Sequence, residues 1–195
     1  MAMITIRQER VSDVAARETL LDEAFGAARF AKSSERLRED RLPAHGLSFV
    51  AVESGRVVGT VRLWNVTAGP GQPVLLLGPL AVAATARKRG IGATLMVRAL
   101  REARKLGHRA VLLVGDAPYY GRFGFSAEKT GTLWMPGAYE RHRLLALELV
   151  PGALDGARGM IAGIGRPEPK PDLAALVAAA NRNVRPRRAM PQKAA

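Results

Sequence analysis

One stretch of the sequence, Val74 to Val114, restricts the fold more than any other. It opens with the apolar run Val74–Val82, passes through the basic segment Arg87, Lys88, Arg89, Gly90, Ile91, Gly92, Ala93, and closes with the apolar run Ala110–Val114. From Gly92 to Lys105 the apolar positions Leu95, Met96, Ala99, Leu100 and Ala103 recur at helical spacing. Arg98, Arg101, Arg104 and Lys105 lie on the other side, and Gly107 ends the helix. Strand, loop, helix and strand of this length suit a crossover between parallel neighbours. Gly78 and Pro79 fall inside the first of these strands and interrupt a regular ladder, so a bulge or splay is expected there.

The flanking pattern predicts a mixed α/β chain around one sheet. Met3–Arg7 alternates like a short strand, and Ser12 with Asp13 precedes a helical pattern through Leu20, Leu21, Ala24 and Phe25. A second, more charged helix is expected from Ser33 to Arg41, stopping before Pro43. Leu47–Glu53 and Arg56–Val66 read as strands of a hairpin whose turn contains Gly55. Tyr119 and Tyr120 follow Pro118 on a short turn or helix, and Arg143–Leu149 is a final strand. Beyond Pro151 the chain turns to Gly, Pro and Arg. We expect one domain over residues 1–165 and a basic, Pro/Arg-rich tail over 166–195, with a short helix at Leu173–Ala180.

A chain of 195 residues that is 48% hydrophobic can bury one core. No run of about 18 apolar residues occurs, and Arg7, Glu9 and Arg10 interrupt the start, so a membrane span and a secretory signal are not expected and the cytoplasm is the expected compartment. The absence of cysteine removes disulfides, thiolate metal sites and a cysteinyl acyl-enzyme. His45, His108 and His142 share no metal-ligand spacing, and no metal is assigned. The formal charge of +13 is unevenly placed: residues 51–110 carry 10 basic and 2 acidic side chains, and residues 151–195 carry 8 and 3. A polyphosphate cofactor accounts for the first cluster as well as a polynucleotide does.

The position of Arg87–Ala93, between an apolar strand and a strong amphipathic helix, gives it chemical meaning. The first helical turn leaves N–H groups without partners, the helix dipole places partial positive charge there, and glycine lets a phosphate approach the backbone. A Walker loop would need Gly-Lys followed by Ser or Thr, which is absent. A dinucleotide fingerprint would need a third small residue where Leu95 stands, although Asp116 weakly imitates its ribose-binding acid.

Arg87, Gly90 and Gly92 satisfy a pattern that resembles the coenzyme-A signature of the GNAT superfamily of N-acyltransferases: Gln or Arg, two residues, Gly, one residue, then Gly or Ala. Tyr120, Gly121, Arg122, Phe123, Gly124, Phe125 resembles the superfamily's later motif, a tyrosine four residues before Gly-Phe. The wider text around Gly78–Val82 and Gly115–Tyr120 is similar to a bacterial branch of predicted N-acetyltransferases. The resemblance covers roughly residues 3–150.

That resemblance implies a central mixed, mostly antiparallel sheet with a splayed parallel strand pair and flanking helices. It implies acetyl-CoA as cosubstrate, held by Arg87, Lys88, Arg89, Gly90, Ile91, Gly92 and Ala93 at its pyrophosphate and by the backbone of Leu80, Ala81 and Val82 along its pantetheine arm. Tyr120 carries over as the general acid for the departing sulfur, with Tyr119 as the alternative. Relatives often place a glutamate on the splayed strand, but Val74–Val82 has no carboxylate; Glu53, Asp116, His45 or water remain open as the base. The acceptor is a primary amine of unknown identity, and Glu18, Asp22, Glu23, Glu35, Glu39 and Asp40 offer negative charge on its expected side. Two further readings stand beside the transferase. One is a catalytically weak acyl-CoA sensor or partner module. The other is a nucleic-acid binder, disfavoured because aromatic residues do not interleave with the basic stretch. A homodimer through Leu173–Ala180 is open.

Overall fold

The computed structural model describes residues 3–170. The expected helix at Leu173–Ala180 lies outside them. Strands β1 (Ile4–Gln8), β2 (Ser48–Glu53), β3 (Arg56–Ala68), β4 (Pro73–Val82), β5 (Ala110–Val114) and β7 (Leu144–Glu148) form one sheet in the spatial order β1-β2-β3-β4-β5-β7. All neighbours are antiparallel except β4 and β5. The β2–β3 hairpin closes on Ser54 and Gly55, both at positive φ (47° and 78°), the two-residue geometry whose twist matches that of the flanking strands.

Strand alternation divides the core between two faces. On one, Phe49, Val61, Leu63, Leu75, Leu77, Val111, Leu113 and Leu145 meet the apolar stripe of α2 (Ile91–Lys105). On the other, Trp64, Val66, Val74, Leu76, Leu112 and Leu144 pack with Leu133 and Ile161. Helix α1 (Val14–Phe25) lays Leu20 and Leu21 on Ala81. Gly59 lets α2 approach the sheet: a Cβ there would stand 3.0 Å from Leu95 and 3.1 Å from Ile91. No helix among the described residues is long and apolar enough to cross a membrane.

Three elements differ from the sequence reading. Residues 33–41, expected as a helix, form a run of turns. The amides of Glu35, Arg38 and Arg41 reach carbonyls three residues back, only Glu39 reaches four back, and Asp40 turns to φ 55°. Leu37 is the sole buried aliphatic side chain of this run, too little for an amphipathic stripe. Two short strands also went unforeseen: β8 (Gly159–Gly163), which pairs antiparallel with β3 at Val66–Ala68, and β6 (Leu133–Trp134), which pairs with β8. Their glycines and two-residue length carry little periodicity. Past β8, Arg166–Glu168 runs beside residues 40–42: Leu42 N–H donates to the Arg166 carbonyl and Glu168 N–H to that of Asp40, both at 2.8 Å.

The entry to α1 is held by a charged pair. Arg7 donates through Nη1 and Nη2 to Asp13 at 2.6 and 2.8 Å, and the Arg10 amide donates to the same carboxylate at 2.7 Å. The Arg7 bonds first, aided by the Arg10 amide and opposed by burial, hold the Asp13 carboxyl down to about 2. Because the folded value lies below the ordinary 3.8, the stabilisation is present above that value and is lost as pH falls toward about 2. The Asp13→Asn variant should therefore melt below the wild type at about pH 6, and the gap should close by about pH 2, read by thermal denaturation across that range.

Candidate active site

The parallel pair β4–β5 is joined only at Leu75–Val111 and Leu76–Leu112. Beyond it β4 leaves β5. On the β3 side, Leu63 pairs with Leu77 and Val61 with Leu80, so Gly78 and Pro79 together oppose Arg62 alone, a bulge that bends the strand. Trp64, 6% exposed, fastens the bend by donating Nε1–H to the Gly78 carbonyl at 2.6 Å. Leu80, Ala81 and Val82 then pair with Val61, Thr60 and Gly59 on one edge and, among the described residues, meet no strand on the other. The backbone edge facing the β5 gap is therefore free to bond a ligand.

The basic loop stands at the mouth of that gap. Lys88 and Gly90 adopt positive φ (63° and 76°), and Gly90 caps α2. Since the Thr94 amide is the first to find its carbonyl, on Gly90, the amides of Ile91, Gly92 and Ala93 have no acceptor within the helix. A Cβ at Gly90 would meet nothing within 4 Å, so the cradle is open there. The three basic side chains are not equivalent. Arg89 is clamped to Glu53 of the hairpin by two bonds, 3.0 and 2.7 Å, and that bonding holds the Glu53 carboxyl below its usual range. Arg87 leans on the Val82 carbonyl at 3.4 Å. Farther along α2, Arg98, Arg101 and Lys105 gather at 3.4–3.5 Å around Glu102.

Across the gap, β5 ends at Val114, just before Gly115, and α3 (Ala117–Tyr120) sets the two tyrosines at right angles, ring centroids 4.9 Å apart. Tyr119 reaches the loop: its hydroxyl lies 2.9 Å from where a Cβ on Gly92 would stand, and the Arg122 guanidinium covers its ring at 4.6 Å. Tyr120 turns inward against the α2-side core and lies against Gly115, where a Cβ would be 2.2 Å from the ring. Burial first, then the neighbouring Tyr119 and Asp116, push the Tyr120 phenol up to about 12 against the opposing Arg143.

None of the side chains considered as a base stands free beside this pair. Glu53 is held by Arg89, Asp116 lies 3.1 Å from Arg143, and His45 is on the surface. No group of three acidic or histidine side chains among the described residues is arranged to hold a metal. On the face of β4 that carries α1, a cleft of about 390 Å³ opens between α1, the turns at 35–43, Trp64 and Pro79. The acids expected to draw a cation there are mostly committed: Glu18 to Arg17 and Arg29, Asp22 to Arg29, Glu35 to Arg38, and Asp40 to Lys170. Sequence reasoning passed over Arg38 and the pairing of Glu9 with Arg62, both of which depend on tertiary structure; only the density of arginines between Arg29 and Arg62 hinted at them.

Residues 14–125 match the model of the acetyltransferase (GNAT) family. The chain is 32% identical over 164 residues to the uncharacterized N-acetyltransferase YhbS of Escherichia coli K12, covering 80% of this chain and 93% of that protein. The crystal structure of Escherichia coli YhbS in complex with CoA superposes with a TM-score of 0.71 at 28% identity, over 84% of this chain and 91% of that one. A GNAT family acetyltransferase from Brucella melitensis, solved with acetyl-CoA, gives 0.62 at 28% identity over 83% and 96%. Family match and near full-length relatives agree: this chain belongs to the GNAT family of acetyltransferases.

Proposed function

We propose that this acetyltransferase moves the acetyl group of acetyl-CoA to a primary amine by direct attack, both substrates being bound at once. The observation that carries the reading is the alignment of two backbone features and one side chain around one gap: unused amides at Ile91–Ala93, the strand-free edge of Leu80–Val82, and the Tyr120 phenol opposite. The residues fit the cosubstrate, since Gly90 leaves bare backbone at a helix N-terminus where a diphosphate is favoured. Lys88 and Arg87 add attraction at the rim.

Acetyl-CoA supplies an activated thioester, whose C–S bond breaks as the new C–N bond forms. The open edge of β4 orients the pantetheine arm and offers an N–H toward the carbonyl oxygen, where negative charge develops. Tyr120 gives its phenolic proton to the departing sulfur and regains one from solvent. With no carboxylate on β4, the proton released by the amine passes to water. The absence of cysteine agrees with direct attack rather than a thioester on the protein.

Titration calorimetry of the full chain with CoA and acetyl-CoA, paired with thiol release in the presence of an amine panel, tests this. Tight binding with thiol release is expected. Gly92→Asp, which sets a carboxylate against the diphosphate, should weaken binding by about tenfold or more. Absence of binding would overturn the reading, whereas binding without release to any amine would favour the acyl-CoA sensor.

A further inference from the structure

Among the cations lining the cleft behind β4, Arg38 has its bonding half completed. Arg38 is 9% exposed, and its Nε and Nη2 both face Glu35 Oε2 at 2.6 Å. Among the described residues Nη1 donates to nothing, and it lies 3.8 Å from the position a Cβ on Gly78 would take, at the bend where β4 leaves β5. Its cationic neighbours are otherwise engaged: Arg17 and Arg62 on Glu9, Arg29 on Glu18 and Asp22. Burial above all, reinforced by repulsion from Arg29 and Arg62 and opposed by Glu35, lowers the pKa of the Arg38 guanidinium. An anion at Nη1 relieves that repulsion, and a guanidinium edge is suited to a carboxylate.

Resting on the transferase reading above, we propose that the acceptor is a small amino carboxylate whose carboxylate bonds Arg38 Nη1, presenting its amine past Gly78 and Pro79 to the open edge of β4. The cleft, about 390 Å³, is of a size for such a molecule. Its walls also carry Glu39, Asp40 and Glu168 at the mouth, so guanidiniums and carboxylates are nearly balanced and a zwitterion is favoured over a polyanion.

Two measurements on the full chain test this. In the first, protein saturated with CoA is titrated calorimetrically with N-acetyl-amino acids and with the corresponding N-acetyl-amino amides, which reads binding without turnover. In the second, kcat/KM is measured for free α-amino acids of small, apolar, aromatic and acidic type, each beside its α-amide. The acids should bind and react better by about tenfold or more. That preference would run against intrinsic reactivity, because the amide holds more of its amine unprotonated at neutral pH. In Arg38→Gln the acid-to-amide ratio should drop by about tenfold, mainly through KM, with Arg38→Lys in between. Wild-type protein that binds and acetylates amides as well as acids overturns the proposal, whatever the variants do. Arg38-dependent binding of the acids with no amine acetylated leaves the carboxylate site standing and sinks the transferase reading instead.

Discussion

Tyr120→Phe is expected to lower kcat at saturating acetyl-CoA and amine by about 10²-fold or more, the usual contribution of a positioned proton donor. The ring should stay in place, since its bed is Gly115, Phe125 and the core beneath, so KM for acetyl-CoA should change little. Tyr119→Phe provides the contrast. Its hydroxyl sits over Gly92 at the start of α2, so its loss should appear in acetyl-CoA affinity and spare kcat. Reversal of these two patterns would transfer the acid role to Tyr119. With the Tyr120 phenol pushed up to about 12, the donor stays protonated below that value, and kcat should not fall on the alkaline side before the pH nears it. Gly115→Ala supplies an independent check. A Cβ there would overlap the Tyr120 ring, and the overlap is with the body of the side chain rather than a flexible tip. It should lower stability by about 1–3 kcal/mol and kcat with it, yet add little further loss of kcat to Tyr120→Phe, because both act on the same proton transfer.

What the sequence disclosed and what it hid divide along one physical line. Helix α2, its glycine-capped start and strand β5 are written in periodicity and in local punctuation, and the β2–β3 turn is written in Ser54 and Gly55; each is decided by neighbours a few residues apart. The interruption at Gly78–Pro79 was legible for the same reason, since one residue lacks a Cβ and the other an N–H. The run 33–41 failed that logic because its charges suggested a solvated helix, whereas Ser33 and the Arg38 side chain are largely shielded from solvent, Arg38 reaching toward Gly78 forty residues away. Strand β8 has no pattern of its own and exists because the far end of β3 offers it an edge. At the site, the adjacency of Tyr119 and Tyr120 was visible but their divergence was not: only the packing of α3 sends one ring to the helix start and the other onto Gly115. The acceptor cleft was the least legible part, because Glu9 and Arg62 are 53 residues apart and Arg38 acquires its meaning only from the bend in β4.

Glu9→Ala should be the most destabilising of the single changes considered, by about 3–5 kcal/mol. Glu9, its side chain 5% exposed, follows β1 and lies between two guanidiniums: Arg17, 6% exposed, on Oε1, and Arg62, 16% exposed, whose Nε donates to Oε2 at 2.8 Å. Removing the carboxylate leaves two cations in a site that water scarcely reaches, and Arg17 keeps only Glu18 while Arg62 loses the sole carboxylate partner it has among the described residues. For a chain of this size the melting temperature should fall by roughly 6–20 °C. An exposed pair sets the scale: Asp155→Ala, which frees Lys129 (side chains 67% and 46% exposed), should cost far less than Glu9→Ala and be salt-sensitive, whereas the Glu9 loss should persist in high salt. The triple variant Glu9→Met, Arg17→Met, Arg62→Leu separates the two sources of the cost. If the penalty lies in the orphaned cations, removing all three charges should recover most of the stability of Glu9→Ala. If the triple variant is no more stable than Glu9→Ala, the carboxylate is needed for the joint between β1, α1 and β3 itself, and the orphaned-charge account fails. Because Arg17 and Arg62 form part of the wall facing Pro79, the same variants show whether the cleft proposed for the acceptor is shaped by this ion network or only adjoins it.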